Sequence, residues 1–157
     1  MALEIERKFL CSLSYDDAHS LAFDARHIRS IYLENTPKGS FRVVRDILSD
    51  GTTKCKWTDK RSTNSNVSRI EIEEELPEII FRGIDNQGFP TINKERFLIK
   101  VDDHIWEIDF FEEYDLVIAE LEFDTIEEAN AFTDFPSWII KEVTDNPSYL
   151  NCNLARK

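Results

Sequence analysis

Apolar and polar residues alternate along most of the chain, and segment after segment repeats a two-residue period. Successive side chains of an extended strand point to opposite faces, so this period predicts strands with one apolar and one polar face. It places strands over residues 3–11, 27–34, 40–48, 52–59, 67–76, 91–101, 104–111 and 116–123. A further apolar run, 138–143, reads either as a ninth strand or as the approach to a C-terminal helix. Ser49-Asp50-Gly51 and Asp102-Asp103 have the chemistry of hairpin turns joining neighbouring strands. Helical signals are fewer. Ser14 with Asp17 makes a capping-box-like start for 14–25, Thr125 with Glu128 does the same for 125–133, and Pro77 suits the first helical position of a short 77–83 segment. Eight mostly sequential antiparallel strands with a few helices predict a mainly β (α+β) chain whose sheet closes into a barrel. No repeat, low-complexity stretch or long linker interrupts residues 1–157, which read as a single domain.

The polar faces are unusual in being charged. Glu4, Glu6 and Lys8 share one face of the first strand, and Lys54 and Lys56 face away from Cys55 and Trp57. Arg69, Glu71, Glu73 and Glu75 oppose Ile70 and Ile72, while Lys94 and Arg96 lie together in the next strand. Glu107 and Asp109 oppose Trp106, Ile108 and Phe110, and Glu120 and Glu122 oppose Leu121 and Phe123. Two arrangements fit. In the ordinary one, an apolar core is wrapped in a solvated, charged exterior. In the inverted one, the charged rows line a central tunnel and the apolar rows face outward beneath helices. Ordinary exteriors mix in Ser, Thr, Asn and Gln, which are nearly missing from these rows. A dry lumen of unpaired charges would be very costly, so the inverted barrel makes sense only around a ligand that satisfies both signs. A triphosphate with divalent cations does so: Lys and Arg engage phosphate oxygens, and clustered carboxylates hold Mg²⁺ or Mn²⁺.

Composition narrows the partners. The 157 residues carry 19 Lys+Arg against 31 Asp+Glu, a net charge of -12, with 41% hydrophobic and 11% aromatic residues. That is too much core-forming material for a disordered acidic chain. The seven cations Lys8, Arg42, Lys54, Lys56, Arg69, Lys94 and Arg96 nearly balance the eight carboxylates of the charged rows, namely Glu4, Glu6, Glu71, Glu73, Glu107, Asp109, Glu120 and Glu122. The negative charge therefore belongs to the exterior, where it excludes long nucleic acids but not a small triphosphate. Cys11, Cys55 and Cys152 lie far apart, and His19, His27 and His104 show no ligand spacing, so neither a disulfide framework nor a zinc site is indicated. Charge from the fourth residue onward argues against a signal peptide, and no apolar run approaches the ~18–20 residues of a membrane span. These features predict a cytoplasmic protein without a membrane partner.

The N-terminal Glu4-Ile5-Glu6-Arg7-Lys8 resembles the E-x-E-x-K signature of the CYTH superfamily, the triphosphate tunnel metalloenzymes. The likeness continues in order along the chain. Lys56 is similar to the family's strand lysine, Ser68–Pro77 to its R-x-E-x-E-x-E-hydrophobic-P stretch, and Lys94-x-Arg96 to its later basic pair. Trp106-Glu107-Ile108-Asp109, Ala119-Glu120-Leu121-Glu122 and the tail Glu142-Val143-Thr144, Tyr149, Asn151, Leu154 and Ala155 complete it. One departure stands out. The family usually carries two basic residues one apart on the third strand, whereas Arg42 and Arg45 are three apart. On a regular strand only one of them points inward unless a bulge re-aims the other.

The resemblance implies an eight-stranded antiparallel tunnel and a metal-dependent reaction on a triphosphate. It makes Lys8, Arg42, Arg45, Lys56, Arg69, Lys94 and Arg96 candidates for phosphate binding. Glu4, Glu6, Glu71, Glu73, Asp109, Glu120 and Glu122 become candidates for Mg²⁺ or Mn²⁺, with Lys8, Glu73 and Asp109 as candidate catalytic groups. Lys54 and Lys141 are weaker candidates. Hydrolysis of inorganic tripolyphosphate by a monomer or homodimer is the first expectation. A class IV adenylate cyclase and a thiamine triphosphatase are alternatives within the family, and a non-catalytic polyphosphate-binding module is one from another class. Such a module would be expected to lose the metal carboxylates, which are all present here.

Overall fold

The alternating segments pair edge to edge into one sheet that closes on itself, in a computed structural model that describes residues 2–156. In chain order the elements are β1 (Ala2–Cys11), α1 (Tyr15–Leu21), β2 (Asp24–Thr36), β3 (Gly39–Leu48), β4 (Thr53–Ser62), β5 (Ser68–Glu75) and α2 (Glu78–Asp85). They continue with β6 (Thr91–Val101), β7 (His104–Phe111), β8 (Val117–Glu122), α3 (Ile126–Ala131), β9 (Ile139–Glu142), a 3-10 turn (Pro147–Tyr149) and α4 (Asn151–Leu154). The sheet runs β5-β4-β3-β2-β6-β7-β8-β1-β9, and an additional β1–β5 pairing closes the first eight strands into an antiparallel barrel.

Closure depends on β1 serving three partners. Ala2–Ile5 pair with β5, Glu6–Leu10 pair with β8, and Phe9–Cys11 take β9 beyond the end of β5. The strand is thus hydrogen-bonded along its length, and the eight-stranded ring has no free edge.

The barrel is the inverted kind. Outward-facing Phe9, Phe97, Trp106, Ile108 and Leu121 form the largest apolar cluster, covered by Ala18 of α1 and by Phe132 and Trp138. On the far wall, Phe81 of α2 packs on Ile31, Val43 and Cys55. The inward rows change character along their length. The rows holding Lys94 and Glu120 run on to Ile92 and Ile118, which cluster with Phe111 and Tyr32. Leu154 of α4 and Val143 pack onto that apolar cluster, drawing the C-terminal segment across this end of the barrel. We call it the strapped end, and the opposite one, beside the Asp102-Asp103 hairpin, the hairpin end.

The eight expected strands and the caps at Ser14 and Thr125 are present, the cap hydroxyls accepting from the Asp17 and Glu128 amides at 3.1 Å each. The 138–143 run forms β9. The helix expected over 14–25 is shorter. It ends at Leu21 because Asp24 and Ala25 pair with Leu98 and Phe97 of β6, and the ladder outweighs local helical preference. Pro77 caps α2 from outside rather than starting it. β4 runs three residues past the expected end, to Ser62, with Lys60 opposite Glu71 and Ser62 opposite Arg69 of β5. That extension carries a lysine into the tunnel.

β3 begins at Gly39, where it passes so close to β4 that any Cβ would overlap the Lys60 carbonyl oxygen and meet Arg61 Cδ at 2.8 Å. Gly39→Ala is predicted to lower the unfolding free energy by about 1–3 kcal/mol, the usual scale of overpacking. Equilibrium urea denaturation checks this, and an unchanged midpoint would show that the two strands separate freely.

Candidate active site

The charged rows enclose a cavity of about 240 Å³, smaller than the ~300–1,000 Å³ of pockets for organic ligands. Ionisable side chains make up most of its wall, with Ile28 and Val44 among the apolar exceptions. Such a space suits a small, highly charged ligand.

Its acidic corner comes from two paired strands. Glu6 of β1 lies opposite Glu122 of β8, and Glu4 follows on the same face of β1. One oxygen from each of Glu4, Glu6 and Glu122 lies within 4.8 Å of the others. Burial and the neighbouring Glu120 and Glu4 push the Glu6 carboxyl up to about 8. Burial with Glu107 and Glu4 pushes Glu122 up to about 7. Glu4 goes the other way: burial would raise it, but the Lys60 ammonium, 3.1 Å away, holds it below the usual range. Lys60 also lies 3.4 Å from Glu71, whose carboxyl burial raises. Three crowded carboxyls, two of them reluctant to ionise, form a hard-oxygen donor set that fits Mg²⁺ or Mn²⁺.

The cations fall into two groups. Lys94 and Arg96 share the carboxylate of Asp109, at 2.7 Å from Lys94 and 2.7 and 2.8 Å from Arg96. Arg96 also reaches Glu107 at 2.5 Å. Glu120 sits 3.4 Å from Lys8 and 3.6 Å from Arg96. Burial would raise the Glu120 carboxyl, but Lys8, Lys94 and Arg96 outweigh it and hold it well below its ordinary value. Lys56 pairs with Glu73 at 3.1 Å. Arg42 and Arg69 are different: both line the cavity, and neither makes an ion pair with a carboxylate among the described residues. Arg42 donates to the Tyr32 hydroxyl at 3.2 Å, and its buried Nε has no partner.

Most candidates expected from the sequence converge here, namely Glu4, Glu6, Lys8, Arg42, Lys56, Arg69, Glu71, Glu73, Lys94, Arg96, Glu120 and Glu122. Three placements are corrected. Arg45 points outward, its guanidinium 5.3 Å from the Phe81 ring centre, because β3 pairs with β4 without a bulge and only Arg42 faces in. Asp109 is 0% exposed with both oxygens engaged by Lys94 and Arg96, so it positions those cations and is not open to metal or water. Lys54, counted among the lumen charges, is exposed and outside the cavity wall. Lys60, Tyr32, Asp46 and Arg26 line the cavity without having been expected. Lys60 continues the two-residue period from Lys56, but it lies beyond the strand end expected at 59, whereas β4 runs to Ser62. The inward turn of Arg26 and Tyr32 depends on the parity of β2, which few charges mark.

Fold and site together define a class: an antiparallel β-tunnel whose lumen presents acidic metal-type ligands beside phosphate-type cations. No family profile matches the chain. It is 32% identical to the inorganic triphosphatase of Acetivibrio thermocellus, with 99% of this chain and 95% of that protein covered. The crystal structure of the inorganic triphosphatase NE1496 superposes with a TM-score of 0.62 at 28% identity, covering 99% of this chain and 95% of the other. A putative adenylyl cyclase from Hippeastrum, HpAC1, shares the fold at 15% identity and a TM-score of 0.53, over 83% of each chain. The chain belongs to the CYTH superfamily, the triphosphate tunnel metalloenzymes, alongside the A. thermocellus triphosphatase.

The raised carboxyls set a pH dependence. Between about pH 5 and 7 the folded protein retains protons on Glu6 and Glu122, and up to about pH 8 on Glu6, that the unfolded chain, with carboxyls near 4.5, has released. The folded state then binds more protons, and metal-free stability is predicted to fall as pH rises through this window. A divalent cation held by these carboxyls would take the protons' place, so added Mg²⁺ or Mn²⁺ is expected to raise the melting temperature more at pH 8 than at pH 5. Thermal unfolding at both pH values with and without cation checks this; equal shifts would contradict it.

Proposed function

We propose that this protein hydrolyses inorganic tripolyphosphate with the help of Mg²⁺ or Mn²⁺, splitting a phosphoanhydride bond with water to give orthophosphate and pyrophosphate. The observation that carries this reading is the coexistence in one small cavity of carboxyls, Glu6 and Glu122, and guanidiniums, Arg42 and Arg69, that form no ion pair among the described residues. A triphosphate arriving with metal supplies both missing partners. The full-length likeness to an inorganic triphosphatase supports hydrolysis over cyclisation, and no feature of the cavity favours a nucleoside or thiamine substituent.

Arg42 and Arg69 bind phosphate oxygens by charge-assisted hydrogen bonds, and Lys8, Lys94 and Arg96, fixed by Glu120 and Asp109, stabilise the charge that develops on them. Glu4, Glu6 and Glu122 hold the metal, which when bound neutralises phosphate charge and orients the chain. Glu73 lines the cavity and is reached by solvent, and its carboxylate accepts the proton of the attacking water. Because phosphoryl transfer asks mainly for positioning and charge stabilisation, a rigid ring of paired ions suits it.

Incubating purified protein with either metal and tripolyphosphate, ATP or thiamine triphosphate, and assaying orthophosphate and cyclic AMP, tests the proposal. Orthophosphate from tripolyphosphate is the expected main product. Cyclic AMP from ATP as the main product, or binding of triphosphates without turnover, would contradict it. Glu122→Gln should cut kcat/KM by roughly 100-fold or more, the scale of removing one preorganised electrostatic group.

A further inference from the structure

We infer that Arg26 is a substrate-binding residue of this tunnel, meeting the phosphate nearest the hairpin end. The inference rests on the triphosphate reading above. On the inward face of β3, Arg42 is followed by Val44, which is 2% exposed, and then by Asp46. The second inward position of β3 therefore presents an isopropyl group, with Arg45 turned outward onto Phe81. Arg42 is the inward cation of β3.

Arg26 enters the lumen from the neighbouring strand. It stands opposite Arg96 of β6 in the β2–β6 ladder, and its side chain lines both the tunnel and the depression at the hairpin end, together with Glu107 and Glu122. Its Nε is shielded from solvent and has no hydrogen-bond partner among the described residues. Its one carboxylate partner among the described residues is Asp24, at 3.6 Å on the same strand. Glu107 is already taken by Arg96 at 2.5 Å, and one oxygen of Asp46 is itself buried and unpaired. A guanidinium kept only to decorate the rim would turn its Nε to water, and one kept for packing would be locked to a carboxylate. Arg26 keeps its Nε out of water, and Asp24 at 3.6 Å lies beyond hydrogen-bond length. Its side chain lines a cavity that we assign to phosphate, and the planar fork of arginine matches phosphate oxygens.

The test measures steady-state hydrolysis of tripolyphosphate and its direct binding by calorimetry, using wild type, Arg26→Ala, Arg26→Lys and Asp24→Asn. Arg26→Ala is expected to raise KM about tenfold while kcat stays within about threefold, the pattern of a lost ground-state contact. Arg26→Lys, keeping the charge without the fork, should recover part of that loss. Asp24→Asn should keep the wild-type KM, since Asp24 touches Arg26 but not the cavity. A wild-type KM in a folded Arg26→Ala protein would overturn the inference, and so would an Asp24→Asn protein that reproduces the KM rise. Wild-type protein that releases no phosphate would instead overturn the hydrolase reading. Calorimetry then decides for Arg26 alone: tripolyphosphate binding weakened by Arg26→Ala sustains its role, and equal binding removes it.

Discussion

Charges of both signs forced into a closed lumen are the constraint on which this structure turns. Glu4, Glu6 and Glu122 meet because β1 pairs with β5 and β8 at once, and the same pairing closes the barrel. Burial and neighbouring carboxylates both disfavour ionisation there, so two of the three carboxyls hold their protons to about pH 7 and 8. A core of this kind contributes little to folding. Stability must come from outside the tunnel, and the largest apolar cluster does lie there, between the outward faces of the strands and the segments around α1 and α3. The inverted arrangement and the external helices are two consequences of one requirement.

The internal ions divide by commitment. Lys94, Arg96 and Lys8 are anchored by Asp109 and Glu120, which sets their positions before any ligand arrives. Arg42, bonded to the Tyr32 hydroxyl, and Arg69 have no carboxylate anchor among the described residues. The committed ions fix the shape of the field while the free ones, with the acidic corner, leave room for an anion and a cation together. Electrostatic catalysis needs that combination, because groups already held in place need not reorganise as charge develops. At the strapped end the inward rows turn apolar, and Leu154 and Val143 close over Ile92, Phe111 and Ile118, so the polar region has a definite limit along the axis.

Much of this was legible in the sequence, because a period of two assigns every strand residue to a face and charges mark the face. The strands rich in charge, β1, β5, β6, β7 and β8, were placed almost to the residue. What failed to show has physical causes. Arg45 and Asp109 could not be judged by residue type: the first depended on whether β3 bulges, the second on which cations reach its oxygens. Lys60 was lost to an early strand end, since Asp59, Lys60, Arg61 and Ser62 look like a polar loop until β5 pairs with them. Arg26 falls between the helix expected over 14–25 and the strand expected from 27, whereas β2 already begins at Asp24. Ladder pairing decides such boundaries, and a single strand does not display its partner.

The most direct test of the central claim is diffraction from crystals grown with Mn²⁺ and tripolyphosphate, recorded at the manganese absorption edge. The account predicts an anomalous peak among the carboxylates of Glu4, Glu6 and Glu122, with phosphate density running from it to Arg42 and Arg69. Manganese and phosphate found only outside the tunnel would contradict it.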